Sequence, residues 1–349
     1  MGIDLKALKE QENRRRVSKG YMWALFCAVF WGIWYLPGTV IWVLNPFDEM
    51  FGAIAETNGD GVSLVVTAAL ITAFNALTVM LALMLWNGVL QKFGELSRTL
   101  REFSPCSKWF FLASVFGGPI AILGSFMAMG FIGGAFAAVA ALLYPVIGSI
   151  LAYYWYGEKI TKRAAAGIII IIIGGITIFG GGLITELGTG NVPWIGYLGG
   201  LMAAVGWGIE GAIAGKGLDI SEPDVGLTLR FLGENIIWWI IIVPILAIVG
   251  FPMYTYALQA FEPMALLVLI FAGITFGFCY VSWYKSFPLI GVGRGQGIGN
   301  LYGFFAVIFI FLFFGDVPQW TILLGGTLCI IGSFVMFTEE AAEIETLRG

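Results

Sequence analysis

Two carboxylates and several aromatic rings lie inside segments of this chain that are otherwise apolar. Glu210 and Glu234 each interrupt a long hydrophobic run, and Trp207 precedes Glu210 by three residues, which places both on one face of a helix. An aromatic face attracts an ammonium group by roughly 0.5–2 kcal/mol, and a carboxylate supplies the opposite charge. The combination predicts a cation-binding site.

Further polar and aromatic residues fall near the middles of other apolar segments. Trp31, Trp34 and Tyr35 follow one another at helical spacing and share a face. Because polar groups are costly in hydrocarbon, such residues normally face a bundle interior or a wet cavity. The predicted binding set is Trp31, Trp34, Tyr35, Asn75, Tyr144, Trp207, Glu210, Glu234, Asn300 and Tyr302.

Each of these assignments has a structural alternative. The aromatic residues could pack a core without touching any ligand. Glu234 could pair with Arg230, four residues earlier on the same helix face, and Glu210 could pair with Arg230 or Arg294. A basic cytoplasmic mouth could instead be formed by Arg230, Lys285 and Arg294. Long basic side chains near helix ends also extend to the membrane interface simply to keep their charged ends in water.

The elements that must position these residues are membrane-spanning helices. The chain has 349 residues, of which 59% are hydrophobic and only 11% charged, against about 25% charged in soluble domains. A spanning helix needs about 20 apolar residues, and continuously apolar runs favour helices over an alternating β-barrel. Ten spans are predicted, at 20–44, 62–86, 108–130, 133–155, 164–184, 194–215, 225–250, 263–285, 290–314 and 318–337.

The placement of basic residues predicts the orientation of these spans. Lys and Arg occur in the N-terminal tail and in the second, fourth and sixth loops, whereas the first, third, fifth, seventh and ninth loops have none. Basic residues of short loops stay on the cytoplasmic side. We therefore expect a cell-membrane protein with both termini cytoplasmic.

An internal repeat divides the spans into two groups of five. A shift of 158 residues places Leu143-Tyr144 on Leu301-Tyr302, and a shift of 176 residues places Trp31 on Trp207. An odd number of spans in each half gives the halves opposite topology, which is an inverted repeat. The predicted organisation is a tail at 1–19, a first repeat at 20–184, a second repeat at 194–337 and a cytoplasmic tail at 338–349.

Six glycines between positions 291 and 303 look like a dinucleotide-binding loop, but no strand or βαβ unit precedes them. Small residues instead let helices approach closely in a membrane. The matching part of the fourth span is also rich in glycine and alanine. The pattern predicts close packing of spans four and nine, with local unwinding beside Asn300.

Five spans followed by five resemble the drug/metabolite transporter superfamily, and its EamA-like branch in particular. The residues that carry the resemblance are the Trp-Gly pairs at 31–32 and 207–208 and Tyr-Gly-Glu-Lys-Ile-Thr at 156–161. The resemblance covers nearly the whole chain, and departs from it in the acidic first loop and the extended second loop, 88–107. It implies a secondary transporter with a central cavity and does not name the cargo.

Within that resemblance, the expected cargo is a small polar organic metabolite, either an amine-bearing or quaternary ammonium (choline-like) solute or an amino acid. The chain has no histidine, so any proton coupling of the alternating-access cycle must use a buried glutamate. One alternative is a sugar phosphate or nucleotide sugar, which Asn235 and Asn300 loosely favour. An alternative of another class is a membrane sensor or structural protein that transports nothing.

The sequence points away from an enzyme, because it shows no nucleophile–base pair, phosphate loop or Cys/His cluster. No cofactor or metal is expected, and the short basic tail gives no basis for nucleic-acid binding. The expected partners are a small-molecule solute and the lipid bilayer, with protons as a further candidate. Because both repeats lie in one chain, a monomer suffices.

Overall fold

A computed structural model describes residues 5–101, 107–189 and 194–337, with side chains except at 5–8, 181–189 and 337. The described chain is helical and contains no β-strand. Ten long helices account for the ten predicted spans: α1 (Leu5–Val40), α2 (Asp60–Val89), α3 (Ser107–Ile132), α4 (Gly134–Tyr156), α5 (Lys162–Thr189), α6 (Trp194–Leu218), α7 (Pro223–Val249), α8 (Pro263–Ile290), α9 (Val292–Phe314) and α10 (Trp320–Phe337).

Nine of these helices, within the described ranges, are long and apolar enough to cross a membrane. The tenth, α10, is apolar but has only 18 residues, which is at the lower limit for a span. The helical fold predicted from the sequence is therefore confirmed, while the count of ten crossings remains a prediction.

The segments outside the predicted spans are more helical than expected. Helix α1 begins at Leu5, inside the predicted tail, because residues 5–19 are mostly Lys, Arg, Glu, Gln, Leu and Ala, which favour helices. Short helices also occupy the first loop, at Phe47–Asn58, and the second, at Phe93–Arg101. The predicted tail at 338–349 lies outside the described residues.

The contacts between helices follow the order of a two-fold repeat. Helix α1 packs on α8 and α9, and the equivalent helix α6 packs on α3 and α4. Helices α5 and α10 approach each other where Gly167 meets the carbonyl oxygen of Gly332 and Gly174 meets that of Gly325. The shift of 158 residues relates Gly167 to Gly325 and Gly174 to Gly332, so this contact exchanges equivalent residues, as a two-fold interface does.

Helices α4 and α9 are both interrupted midway and pack on each other along their lengths, as predicted. Helix α4 contains a 3₁₀ turn at Ala141–Leu143, and α9 is broken by a turn at 300–301. The side-chain amide of Asn300 joins the two interruptions by donating to the carbonyl oxygen of Leu142 at 2.8 Å. The predicted unwinding beside Asn300 is thus confirmed.

Helices α3 and α7 each contain a π-helical segment, at Phe116–Ile122 and Ile236–Ile242. Pro119 lies inside the first segment, and proline removes the backbone donor that a regular α-helix needs there. Such π-helical turns occur frequently at functional sites. Both segments lie next to the charged residues described below.

Candidate functional site

The two equivalent tryptophans of the repeat meet at the centre of the bundle. The rings of Trp31 and Trp207 contact each other edge to face, with centroids 4.6 Å apart. Tyr302 stacks on Trp31 at 4.4 Å, and its equivalent Tyr144 lies 5.5 Å from Trp31. We call the surrounding group of fully buried rings the aromatic cluster: Trp31, Trp34, Tyr35, Tyr144, Trp207, Phe276, Trp283 and Tyr302.

One side of the aromatic cluster is anchored to α2. Trp34 stacks on Phe276 at 4.1 Å and donates its indole N–H to Oδ1 of Asn75 at 3.0 Å. The side-chain nitrogen of Asn75 makes no hydrogen bond within the described chain. A buried amide whose N–H groups are free, and which lies beside aromatic rings, can donate hydrogen bonds to a polar group of a ligand.

Three charged residues form a second group, which we call the triad, immediately beside the aromatic cluster. Arg230 of α7 donates its Nε to Oε1 of Glu210 of α6 at 2.6 Å, and its Nη1 to Oε2 of Glu234. All three side chains are fully buried. The structure therefore brings together Glu210 and Glu234, two members of the predicted binding set that lie on different helices, and places Arg230 between them.

Two tyrosines of α8 complete the coordination of the triad and connect it to the aromatic rings. Tyr280 donates its hydroxyl to Oε2 of Glu210 at 2.7 Å, and Tyr284 donates to Oε1 at 3.3 Å. The indole N–H of Trp207 donates to the Tyr280 hydroxyl oxygen at 2.9 Å. A continuous chain of hydrogen bonds thus runs from the aromatic cluster to Glu210.

The triad carries one positive and two negative charges when all three groups are ionised. A net charge held away from water is costly, and even a balanced buried ion pair recovers its desolvation only with good geometry. The surplus carboxylate charge can be neutralised by a bound cation or by a proton. The aromatic rings next to it would favour an organic cation.

The π-helical segment of α3 makes room for the triad. A Cβ atom added to Gly117 would collide with the Arg230 guanidinium and the Glu210 carboxylate, and one added to Gly118 would collide with the Glu234 carboxyl group. Glycine is therefore required at both positions by close approach of charged side chains rather than by backbone conformation.

Replacing Gly118 by alanine is expected to weaken binding of an organic cation at the triad at least about tenfold, because a displacement of the Glu234 carboxylate by a fraction of an ångström costs roughly 1.4 kcal/mol or more. The matched control is Gly277→Ala in α8, where a Cβ would make only ordinary contacts with Val79 and Ala82. Titration of the two purified variants with choline measures both, and equal affinities would contradict the assignment.

Two predicted site residues occupy other places. Asn300 holds the α4 and α9 interruptions together and bonds Ser333 at 3.2 Å, so it does not join the aromatic cluster. Arg230 lies in the triad, because two carboxylates surround it, and not at a mouth with Lys285 and Arg294. The predicted mouth of three cations is corrected accordingly.

Lys285 belongs to a cluster at the bundle end where α2 and α8 finish and α7 begins. Asp224, fully buried, contacts Nζ of Lys92 at 2.5 Å and Nζ of Lys285 at 3.1 Å. Lys92 also contacts Glu222 at 2.5 Å, and Trp86 donates its N–H to Asp224 at 3.0 Å. We call Lys92, Glu222, Asp224 and Lys285 the lysine–carboxylate cluster.

The ion pairs of this cluster centre on Asp224. Partial burial works to lower the pKa of Lys92, but hydrogen bonds to Asp224 and Glu222 outweigh it, so the pKa lies above its ordinary value. Burial raises the pKa of Glu222 despite its contact with Lys92. The firm links of the cluster are therefore those that the two lysines make with Asp224, which tie α2, α7 and α8 together at one end.

Sequence reasoning missed several residues that the structure places at the site. Tyr280, Trp283 and Tyr284 share one face of α8, and their spacing of three and four residues could have identified them. Gln296 is fully buried and its backbone carbonyl accepts the Tyr144 hydroxyl at 2.7 Å. It lies within the glycine-rich stretch 291–303, and its side chain is buried there, as is that of Asn300.

Comparison with known proteins agrees with the fold described above. The EamA-like transporter family matches residues 61–180 and 194–338, in two stretches that correspond to the two halves of the chain. A protein of known crystal structure aligns with a TM-score of 0.57 and 16% identity, over 91% of this chain and 96% of that chain. At this identity the likeness concerns the fold alone. The curated protein sequences contain no match.

Proposed function

Because the chain belongs to the EamA-like transporter family, we propose that it is a secondary transporter of a small organic cation. The cargo class we favour is an amine-bearing or quaternary ammonium solute, with an amino acid, which also carries an ammonium group, as its nearest variant. The observation that carries the proposal is the contact between the aromatic cluster and a triad whose carboxylates outnumber its guanidinium.

The charges of the site favour a cation over a sugar phosphate or nucleotide sugar. Arg230 lies over the ring of Tyr280 beside the aromatic cluster, and its Nε and Nη1 already donate to Glu210 and Glu234. Asn300, which loosely favoured a sugar-linked cargo, is engaged by Leu142 and Ser333. An anionic cargo would meet surplus negative charge, and like charges brought together in a dry site repel strongly.

Alternating access is supported by the exchange of equivalent contacts between the halves. The members of the aromatic cluster and the triad are fully buried, which is the closed arrangement that a cycle of this kind must pass through. The lysine–carboxylate cluster would hold one end shut until its ion pairs separate. We place that end in the cytoplasm of a cell-membrane protein, since basic residues collect there.

A ligand panel on the purified protein tests the cargo class. A ligand that binds only the folded protein raises the unfolding temperature, by an amount that grows with its concentration relative to Kd. We expect choline to stabilise the protein, glycine betaine and phenylalanine to do so less, and glucose 6-phosphate to have no effect. Stabilisation by glucose 6-phosphate without any by choline would contradict the proposal.

Uptake by the reconstituted protein separates a transporter from a membrane sensor. A transporter is expected to accumulate radiolabelled choline in liposomes when an opposing gradient is imposed. Tight binding with no uptake under any imposed gradient would favour a sensor or structural role. The purified protein in liposomes also reports whether this single chain suffices without a second subunit.

A further inference from the structure

The two carboxylates of the triad differ in their surroundings, and the difference assigns them different roles within the proposed function, on which this inference rests. The geometry points to Glu234 as the residue that binds a proton when cargo is absent, with Glu210 as the carboxylate that stays ionised. Binding of one organic cation then releases one proton from Glu234.

Glu210 is held as an anion by three donors. Arg230 Nε and the Tyr284 hydroxyl contact its Oε1, at 2.6 and 3.3 Å, and the Tyr280 hydroxyl contacts its Oε2 at 2.7 Å. Hydrogen bonds that a carboxylate accepts favour its ionised form. Both oxygens of Glu210 therefore accept hydrogen bonds, and a proton on either oxygen would weaken or break at least one of them.

Among the described residues, Glu234 accepts one hydrogen bond of good geometry, and the indole N–H of Trp238, four residues further along α7, interacts with its carboxyl group more weakly. Arg230 Nη1 contacts its Oε2, while its Oε1 makes no hydrogen bond of good geometry with the described residues. A buried oxygen without a donor gains nothing from ionisation, because it has neither water nor protein to stabilise the charge. Oε1 of Glu234 is thus the position in the triad where a proton would be accommodated at least cost.

The groups around Glu234 supply no further positive charge. Helix α6 contributes Glu210, α8 contributes the neutral Tyr284, and α7 itself contributes the neutral indole of Trp238. Helix α3 adjoins the Glu234 carboxyl group through Gly118, and α2 carries no charged residue between Asp60 and its end at Val89. Arg230 alone faces two carboxylates, so one proton on Oε1 makes the site neutral.

A monovalent organic cation supplies the same neutralisation and makes the proton redundant. On cargo binding, the O–H bond at Oε1 breaks, the proton passes to water when the site opens, and the carboxylate keeps the bonding electrons. One positive charge enters for each one that leaves. The exchange of one cation for one proton is therefore expected to be electroneutral. Protons that flow down their gradient in one direction would drive the cargo across the membrane in the other direction.

Calorimetric titration of the purified protein with choline, in two buffers of different ionisation enthalpy, counts the protons released. Linkage predicts about one proton per bound choline in the wild type near neutral pH. Glu234→Gln, which keeps the Arg230–Glu210 pair, is expected to release none and to bind choline about tenfold more weakly. Its unfolding temperature should stay close to that of the wild type.

The control is Glu262→Gln, which changes an exposed carboxylate just before α8 and should release protons as the wild type does. Choline binding by the wild type without proton release would overturn this inference and leave the cation site standing. Release that persists in Glu234→Gln would also overturn it. Absence of choline binding by the wild type would instead overturn the proposed cation site, and the inference with it.

Discussion

Replacing Arg230 by methionine is expected to destabilise the protein more than any other single substitution in the triad. The side chain is fully buried and contacts both glutamates, so its removal leaves the ionised Glu210 without a counter-charge and takes from Glu234 its hydrogen bond from Nη1. Breaking a buried pair by removing one partner costs about 3–5 kcal/mol. A large fall in the unfolding temperature of the purified protein, together with loss of transport, is the expected result.

A second substitution should recover part of the loss. Arg230→Met combined with Glu210→Gln removes the carboxylate that stays ionised and leaves only Glu234, which can bind a proton, while the amide oxygen at position 210 can still accept from Tyr280 or Tyr284. We therefore expect the double variant to unfold at a higher temperature than Arg230→Met alone, although neither transports. Coupling of this sign is typical of residues in one charge network.

Arg98→Met serves as the control for loss of an arginine. Arg98 is exposed and its contact with Glu95 is 3.9 Å long, and surface pairs of this kind contribute about 0–1 kcal/mol. Its unfolding temperature should match that of the wild type. If Arg230→Met were as stable as Arg98→Met, the two glutamates would have to be neutral in the native protein, and the charge surplus proposed here would not exist.

The sequence was sufficient for the helices and for the pairing of equivalent residues, and the reason is physical. A bilayer requires long apolar runs and excludes charge from them, so the positions of the spans can be read from the sequence. Trp31 and Trp207 could be matched because the repeat conserves local sequence around them, and a two-fold arrangement brings matched residues together near its axis. Their 4.6 Å contact follows from those two facts.

The partners of Arg230 could not be chosen from the sequence. Glu234 lies four residues away on the same helix, but Glu210 lies on a different helix. Whether Arg230 pairs with Glu210 or lies at a cytoplasmic mouth depends on how α6 and α7 pack. That packing is set by Gly117 and Gly118, whose missing side chains admit the triad. Absence of a side chain leaves no chemical signal, so the sequence could not reveal what the two glycines accommodate.

The tyrosines of α8 were missed for a related reason. Tyr280 and Tyr284 lie within the last three turns of α8, where tyrosine is common in the interfacial belts of membrane proteins. Only the structure distinguishes a tyrosine that faces the headgroups from one that donates to a buried carboxylate. Trp207 differs from these tyrosines because it matches Trp31 of the first repeat, and this match predicts a central position.

Replacing Trp207 by alanine is expected to weaken choline binding by up to about thirtyfold and to lower stability at the same time. Its ring contacts Trp31 at the centre of the aromatic cluster, and its N–H donates to Tyr280. Loss of a buried tryptophan costs about 3–5 kcal/mol in folding, and loss of one aromatic face removes about 0.5–2 kcal/mol of attraction for an ammonium group. Choline titration and thermal unfolding of the purified variant measure the two effects.

Trp207→Phe separates the two contributions, because it keeps an aromatic face while removing the hydrogen bond to Tyr280. It should retain weak choline binding and most of the stability, since a single hydrogen bond contributes about 0.5–1.5 kcal/mol. Trp320→Ala is the control, because that ring is 72% exposed at the start of α10. Choline affinity equal in Trp207→Ala and Trp320→Ala would mean that the central rings only pack the core, and that the cation is bound elsewhere.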